Sequence, residues 1–398
     1  MRVCLVYDCL YPYTVGGAER WYRNLGERLA AEGHEVTYVT LRQWGRGERG
    51  DVPGVRVVAA GPRMGLYAAE GRRRILPPLV FGLGVLLHLL RPRNRYDVVH
   101  TASFPYFSLL AAAVARRPRG FRLVVDWHEV WSREYWSGYL GAVGGRIGHL
   151  VQALCLRVPQ RAFCFSKMHG ARLREGGVRG PVTVLEGEYA GALEPPPPPE
   201  EAEPLVVFAG RLIPEKQAAA LVPAIALARE RLPELRGLIL GDGPERAGVL
   251  AAVSASGLDG AVSVPGFVAS EEVDRSMRSA LCVALPSRRE GYGLVVVEAS
   301  SKGTPSVVAR APDNAAVELV EEGVNGFVAA SAGAADLAEA ILRVSEAGLA
   351  LRESTGRWFA HNARRLSIDS SLELVAASYG GQARARGSFG LTTGSRRS

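Results

Sequence analysis

Two carboxylates with seven residues between them, Glu290 and Glu298, bracket the glycine-containing stretch Gly291-Tyr-Gly-Leu294. Before it, Ala280–Leu285 is apolar and too short for a helix, which predicts a buried parallel strand. After it, Leu294–Ser301 predicts a helix stopped by Gly303 and Pro305. The loop between strand and helix carries Gly291 and Gly293 and leaves backbone N–H groups bare, where an open α/β sheet receives phosphate. A phosphate-bearing ligand held between two acidic side chains is the chemistry this stretch suits.

Such a loop needs a sheet behind it, and the chain supplies two. Strand-like runs occupy Val3–Tyr7, Glu35–Thr40, Val55–Ala60, Tyr96–Thr101, Leu123–Asp126, Arg161–Ser166 and Val182–Leu185. Helical patterns lie between most of them, among them Ala18–Glu32 closed by Gly33. A second series follows at Leu205–Ala209, Leu238–Leu240, Val262–Val264, Ala280–Leu285, Ser306–Ala309 and Gly326–Ala329. Helices at Ala334–Glu346, Leu351–Arg365 and Ile368–Tyr379 come last. Alternation of this kind predicts α/β architecture, doubly wound parallel sheets with helices on both faces. The series are separated by Pro195-Pro-Pro-Pro-Pro199 amid four glutamates, a semi-rigid linker. The expected division is a first domain over 1–190, a linker over 191–204, a second domain over 205–366 and a disordered tail over 383–398, rich in Arg, Gly and Ser.

At 398 residues the chain is long enough for two cores. The short apolar run at Met1–Tyr7 reads as a first strand, not a signal peptide, and no run reaches the ~18 apolar residues of a spanning helix. Five scattered cysteines show no zinc spacing and no disulfide framework, which points to buried thiols and a cytoplasmic location. The net charge of +8 is carried almost wholly by arginine, the lysines being only Lys167, Lys216 and Lys302. With so much Ala, Gly and Pro, that bias reflects genome composition as readily as an anionic partner, and no nucleic-acid partner is expected.

The Glu-x7-Glu spacing, with Pro286-Ser before it and Glu290-Gly-Tyr-Gly-Leu294 around it, resembles the signature of retaining family 4 glycosyltransferases of GT-B fold. Phe208-Ala-Gly-Arg-Leu-Ile-Pro-Glu-Lys216 resembles the same family's Gly-Arg…Lys motif. The resemblance implies two Rossmann-like domains facing a cleft, with the last helix (367–382) returning to the first domain. It implies a nucleotide-diphosphate sugar, UDP- or GDP-linked, as donor, no cofactor, and a sugar or lipid-linked hydroxyl as acceptor. Arg211 and Lys216 would stabilise the departing diphosphate, Glu290 and His128 would lie beside the transferring sugar, and Glu298 would hold the ribose. Gly16, Gly17, Gly210, Phe267, Gly291, Tyr292, Gly293 and Leu294 would contact the donor, Phe267 by main-chain groups near the base. No two aspartates stand two residues apart, so the metal clamp of the other glycosyltransferase fold has no counterpart and metal-free chemistry is expected, while the resemblance implies front-face attack. Ala311-Pro-Asp-Asn314 departs from the paired glycines of many relatives, and Gln217 is a milder departure at a position where Gly or Asn is usual.

Some features admit two readings. Trp127, Trp131 and Trp136, with Tyr135 and Tyr139, either stack on an acceptor sugar or form core beneath a loop. Glu19 either faces the acceptor or favours the helix dipole. The segment 72–95 predicts a helix over Leu79–Leu90 that is apolar all round, flanked by Arg72-Arg-Arg74 and Arg91-Pro-Arg-Asn-Arg95. Its stripe of Leu79, Val80, Leu83, Leu86, Leu87 and Leu90 would face the core, or the helix would lie at the inner membrane face as a peripheral contact. Rival functions are a sugar-nucleotide 2-epimerase and a non-catalytic sugar-nucleotide-binding protein of the same shape.

Overall fold

The computed structural model describes residues 1–45, 47–66, 73–196 and 201–380. The tail over 383–398, Arg72 and part of the proline linker therefore lie outside the described residues. The first sheet comprises β1 (Arg2–Val6), β2 (Glu35–Thr40), β3 (Arg56–Ala59), β4 (Val98–Ala102), β5 (Arg122–Trp127), β6 (Arg161–Cys164) and β7 (Val182–Val184). They lie in the order β3-β2-β1-β4-β5-β6-β7, every pair parallel. The second sheet begins with β8 (Glu203–Ala209), β9 (Arg236–Leu240), β10 (Val262–Gly266) and β11 (Ala280–Leu285). Its order is β10-β9-β8-β11, then Ser306–Ala309 and Gly326–Ala329, again all parallel. β8 starts two residues before the expected Leu205, at Glu203, which pairs with Arg236 at 2.6 Å on the neighbouring strand.

The first-domain helices are α1 (Gly17–Ala31), α2 (Leu76–Leu90), α3 (Tyr106–Arg119), α4 (Arg133–Leu156) and α5 (Lys167–Glu175). Those after them are α6 (Leu221–Ala228), α7 (Arg246–Ala255), α8 (Ser270–Ser279), α9 (Leu294–Ser300), α10 (Ala334–Leu366) and α11 (Ile368–Gly380). α10 bends at Gly348, whose φ of 55° splits it near the break between the two expected helices. α11 packs on the first domain, where the Tyr379 hydroxyl bonds to buried His100 Nδ1 at 2.5 Å.

The expected packing of α2 is inverted. Phe81, Val85, His88 and Leu89 are buried, whereas Leu79, Leu83, Leu87 and Leu90 of the presumed core stripe are exposed. The cause is close approach. A Cβ at Gly82 would stand 2.7 Å from the Phe107 Cβ, and Gly84 lies against the Ala60 carbonyl. The glycine side of α2 is the only one that can seat so near α3 and the end of β3. His88, which interrupted the apolar surface in sequence, is satisfied internally by Tyr96 at 2.8 Å, and burial pushes its imidazole down to about 4.

Candidate active site

The C-terminal edges of the two sheets face one another, as ligand sites in open α/β sheets require. Two cavities lie between them. The larger, about 550 Å³, is walled by Tyr7, Phe104, His128, Trp131 and Tyr139 from the first domain and by Arg211, Glu215 and Arg289 from the second. The smaller, about 270 Å³, takes in Gly17, Arg20 and Glu188, with Leu294, Glu298 and Lys302 opposite.

The two domains touch where the chemistry was expected. Gly291 comes so close to the strand end at β5 that a Cβ there would stand 2.8 Å from the His128 carbonyl oxygen. Glu290, one residue earlier, accepts from Lys216 Nζ at 2.6 Å and from the Ser287 hydroxyl at 2.7 Å, and is largely buried. Arg211 lines the same cavity as His128. The His128 ring stacks on Phe165, centroids 4.7 Å apart and planes 4° from parallel, and its Nε2 is a buried nitrogen with no partner. Burial lowers its pKa despite the neighbouring Asp126, so the ring is neutral at pH 7. Asp126 is itself anchored by Trp21 Nε1 at 2.7 Å.

Gly293 has a φ of 104°, and a Cβ there would meet Ala316 Cβ at 2.4 Å, so both conformation and space require glycine at the entry to α9. Nothing lies within 4 Å of the corresponding position at Gly17, which opens on the smaller cavity. Gly16 sits against the Glu19 carboxylate, and a Cβ at Gly210 would meet only the Phe208 ring. Burial raises the Glu298 carboxyl, with Arg20 across the cleft pulling the other way. Glu188, partly exposed in the same cavity, is pushed up to about 8, by burial first and by Asp126 second.

Other expected site residues stand elsewhere. Trp127 and Trp136 are core side chains, a correction to the acceptor-stacking reading. Their indole N–H groups donate to Gln160 and Gln152, which keeps both rings beneath the loop. Trp131 alone of the three reaches the cavity, resting on Trp136 with centroids 4.5 Å apart. Glu19 is 8 % exposed and, like Lys216 and Glu290, lines neither cavity. Phe267 is 84 % exposed and also lines neither. Tyr292 is buried, its hydroxyl donating to the Glu186 carbonyl of the first domain at 2.7 Å.

Sequence reasoning missed a cross-domain cluster. Arg289 binds Glu129 at 2.8 Å, with its guanidinium 4.8 Å and 4.5 Å from the ring centroids of Trp131 and Tyr135. Tyr135 donates to Glu215 at 2.8 Å. Burial would raise the Glu215 carboxyl, but Tyr135 and Arg289 outweigh it and hold the group below its usual range. Adjacency of Arg289 to Glu290 was the only signal available for it. Asn314, noted as a departure from the paired glycines, braces the loop by donating to the Ser287 and Ala309 carbonyls at 2.9 Å and 2.8 Å.

The family model described as Glycosyltransferase Family 4 matches residues 15–186, and that described as Glycosyl transferases group 1 matches 193–359. A D-inositol 3-phosphate glycosyltransferase of Nocardioides sp. is 30% identical over 366 residues, 83% of this chain and 78% of that one. Among solved structures, sucrose-phosphate synthase from Thermosynechococcus elongatus superposes with a TM-score of 0.77 at 20% identity, covering 96% of this chain and 99% of its own. Anabaena HepE in complex with UDP-glucose gives a TM-score of 0.69 at 18% identity, covering 96% and 99%. With its two parallel-sheet domains closed on a shared cleft, the chain belongs to the family 4 glycosyltransferases and is an enzyme of GT-B fold.

Proposed function

We propose that this glycosyltransferase retains anomeric configuration and works without a metal. It would move a sugar from a UDP- or GDP-linked donor to a hydroxyl of a saccharide, glycolipid or small-molecule glycoside. The observation that carries the reading is Lys216 on Glu290 at 2.6 Å, beside a glycine that abuts His128 across the cleft. In this reading the bond from the sugar's anomeric carbon to the diphosphate oxygen breaks, and negative charge gathers on the leaving group. Arg211, the Lys216 ammonium and the first amides of α9 stabilise that charge. The acceptor hydroxyl attacks the face just vacated, and its proton passes to the departing phosphate oxygen. Burial disfavours the protonated His128 ring, so its unpartnered Nε2 is suited to hydrogen-bond a sugar hydroxyl and poorly suited to keep a proton taken from one.

The smaller cavity suits the nucleoside end, where Glu298 would accept from the ribose hydroxyls. The larger cavity suits the acceptor, where Trp131 and Tyr139 provide flat apolar walls. UDP-glucose in HepE, a fold neighbour, makes UDP-linked sugars the first donors to try. No described helix is long and apolar enough to cross a membrane. A cytoplasmic location is part of this proposal and rests on five buried free cysteines.

NMR of the product tests the mechanism: the donor's anomeric configuration should survive, and transfer should persist in chelator. An inverted product, or activity lost in chelator and restored by Mg²⁺ or Mn²⁺, overturns it. Incubation with donor alone separates the epimerase, which would make a new nucleotide sugar.

A further inference from the structure

The exposed side of α2 forms part of a larger surface. Leu76, Leu79, Leu83, Leu87 and Leu90 recur at helical spacing along it, Leu83 being 59% exposed. Beyond the break at Gly141, whose φ is 76°, α4 carries a second stripe of Val143, Ile147, Leu150 and Leu154, with Val143 72% exposed. The connections through α2, α3 and α4 all run in the direction from β3 to β7. Right-handed crossovers therefore place the three helices on one face of the sheet. Between the stripes lies α3, with Val114 exposed. A groove of about 870 Å³ separates α3 from α4, its floor made by Leu110, Val114 and Leu154. Exposed apolar area on this scale marks an interaction surface.

Charge identifies what covers it. Across α2, α3 and α4 the sole acidic side chain is Glu134, at the start of α4. Arg91, Arg93, Arg95, Arg117 and Arg157 are exposed at the far ends of the same helices. Arg117 and Arg157 also line the α3–α4 groove. Apolar stripes whose far ends carry only cations match the acyl region and headgroups of an anionic bilayer, and α2 is far too short to span one. From the triplet before α2, Arg74 is exposed, but Arg73 turns inward to Asp8 at 2.6 Å and lies over Phe104 in the larger cavity.

We infer that the outer face of α2–α4 docks on an anionic lipid surface. The contact includes α4 and the α3–α4 groove, and so extends well past the 72–95 segment. The larger cavity opens beside this face: Arg73 precedes α2, Phe104 precedes α3 and Tyr106 begins it, and Glu134, Tyr135 and Tyr139 belong to the first half of α4. A docked enzyme therefore presents that cavity to an acceptor whose apolar tail stays in the bilayer, a consequence that rests on the glycosyltransfer reading above.

Sedimentation of the full chain with vesicles tests the docking without any sugar nucleotide. The protein should pellet with vesicles containing phosphatidylglycerol or phosphatidylserine, stay in solution with phosphatidylcholine alone, and be released by salt. Two sets of changes, Leu83→Ser/Leu87→Ser/Ile147→Ser/Leu150→Ser and Arg93→Ser/Arg117→Ser/Arg157→Ser, should each weaken binding roughly tenfold or more. Both should keep the parent melting temperature and nucleotide-sugar binding, because every altered side chain is exposed. Wild-type protein left in the supernatant with anionic vesicles at low salt overturns the inference. So does binding indifferent to the four leucine and isoleucine changes, or a dimer by equilibrium sedimentation that those changes dissolve while no vesicle is bound. Vesicle binding without sugar transfer would leave the docking intact and refute only the function.

Discussion

Lys216 and Glu290 lie 74 positions apart in sequence, yet their side chains meet at 2.6 Å, with the Ser287 hydroxyl on the same carboxylate oxygen at 2.7 Å. The pair ties the loop after β8 to the loop after β11, so in the proposed mechanism the cation assigned to phosphate is held in place by the carboxylate assigned to the sugar. An ammonium has three donors, and one bond to Glu290 leaves two for diphosphate oxygens.

Arg211→Ala and Lys216→Ala should therefore each cut turnover by at least ~100-fold at saturating donor, from the ~2.7–4 kcal/mol that one transition-state donor supplies. Lys216→Ala also leaves a largely buried carboxylate unpaired, so Lys216→Ala/Glu290→Gln should regain melting temperature without regaining turnover. Near-normal rates in either single variant would remove these cations from the chemistry.

The two loop glycines should fail differently. Gly293→Ala forces an L residue to a φ of 104° with its Cβ 2.4 Å from Ala316, so it should lower the melting temperature markedly. Gly291→Ala meets the His128 carbonyl of the other domain, so it should hold the domains apart. Its melting temperature should stay near the parent's while donor affinity falls, as calorimetric titration would reveal.

The tryptophans divide in the same way. Trp131→Ala should raise the acceptor KM by roughly tenfold, within the ~1–3 kcal/mol typical of a buried aromatic contact, and leave donor affinity unchanged. Trp136→Ala, at 3% exposure, should cost about 3–5 kcal/mol of stability. Equal effects of both on the acceptor KM would contradict the placement of Trp136 in the core.

Glu188 makes stability depend on pH. Its carboxyl is raised from 4.5 to about 8 in the folded chain, so folding takes up a proton between those values. Its contribution is fully present below pH 4.5 and is lost as pH rises through 8. Glu188→Gln should therefore gain melting temperature relative to the parent, by at least ~2 °C between pH 5 and 8.5. A gap that is constant or narrows with pH would show that Glu188 ionises normally.

What the sequence by itself determined was everything with a local cause. Alternating apolar runs and capped helices specified thirteen strands and two parallel sheets. The stretch around Glu290 and Glu298, with Gly291 and Gly293 between them, specified a strand–loop–helix unit because backbone conformation acts within a few residues. Only the tertiary structure decided which side of α2 would be buried. Apolar periodicity ranked both sides nearly alike, and the choice fell to Gly82 and Gly84 meeting Phe107 and Ala60. Tertiary contact likewise paired Arg289 with Glu129, 160 positions away, and sank Trp127 and Trp136 while leaving Trp131 at the cavity. Those outcomes depend on packing between segments far apart in the chain, which residue type and spacing alone do not encode.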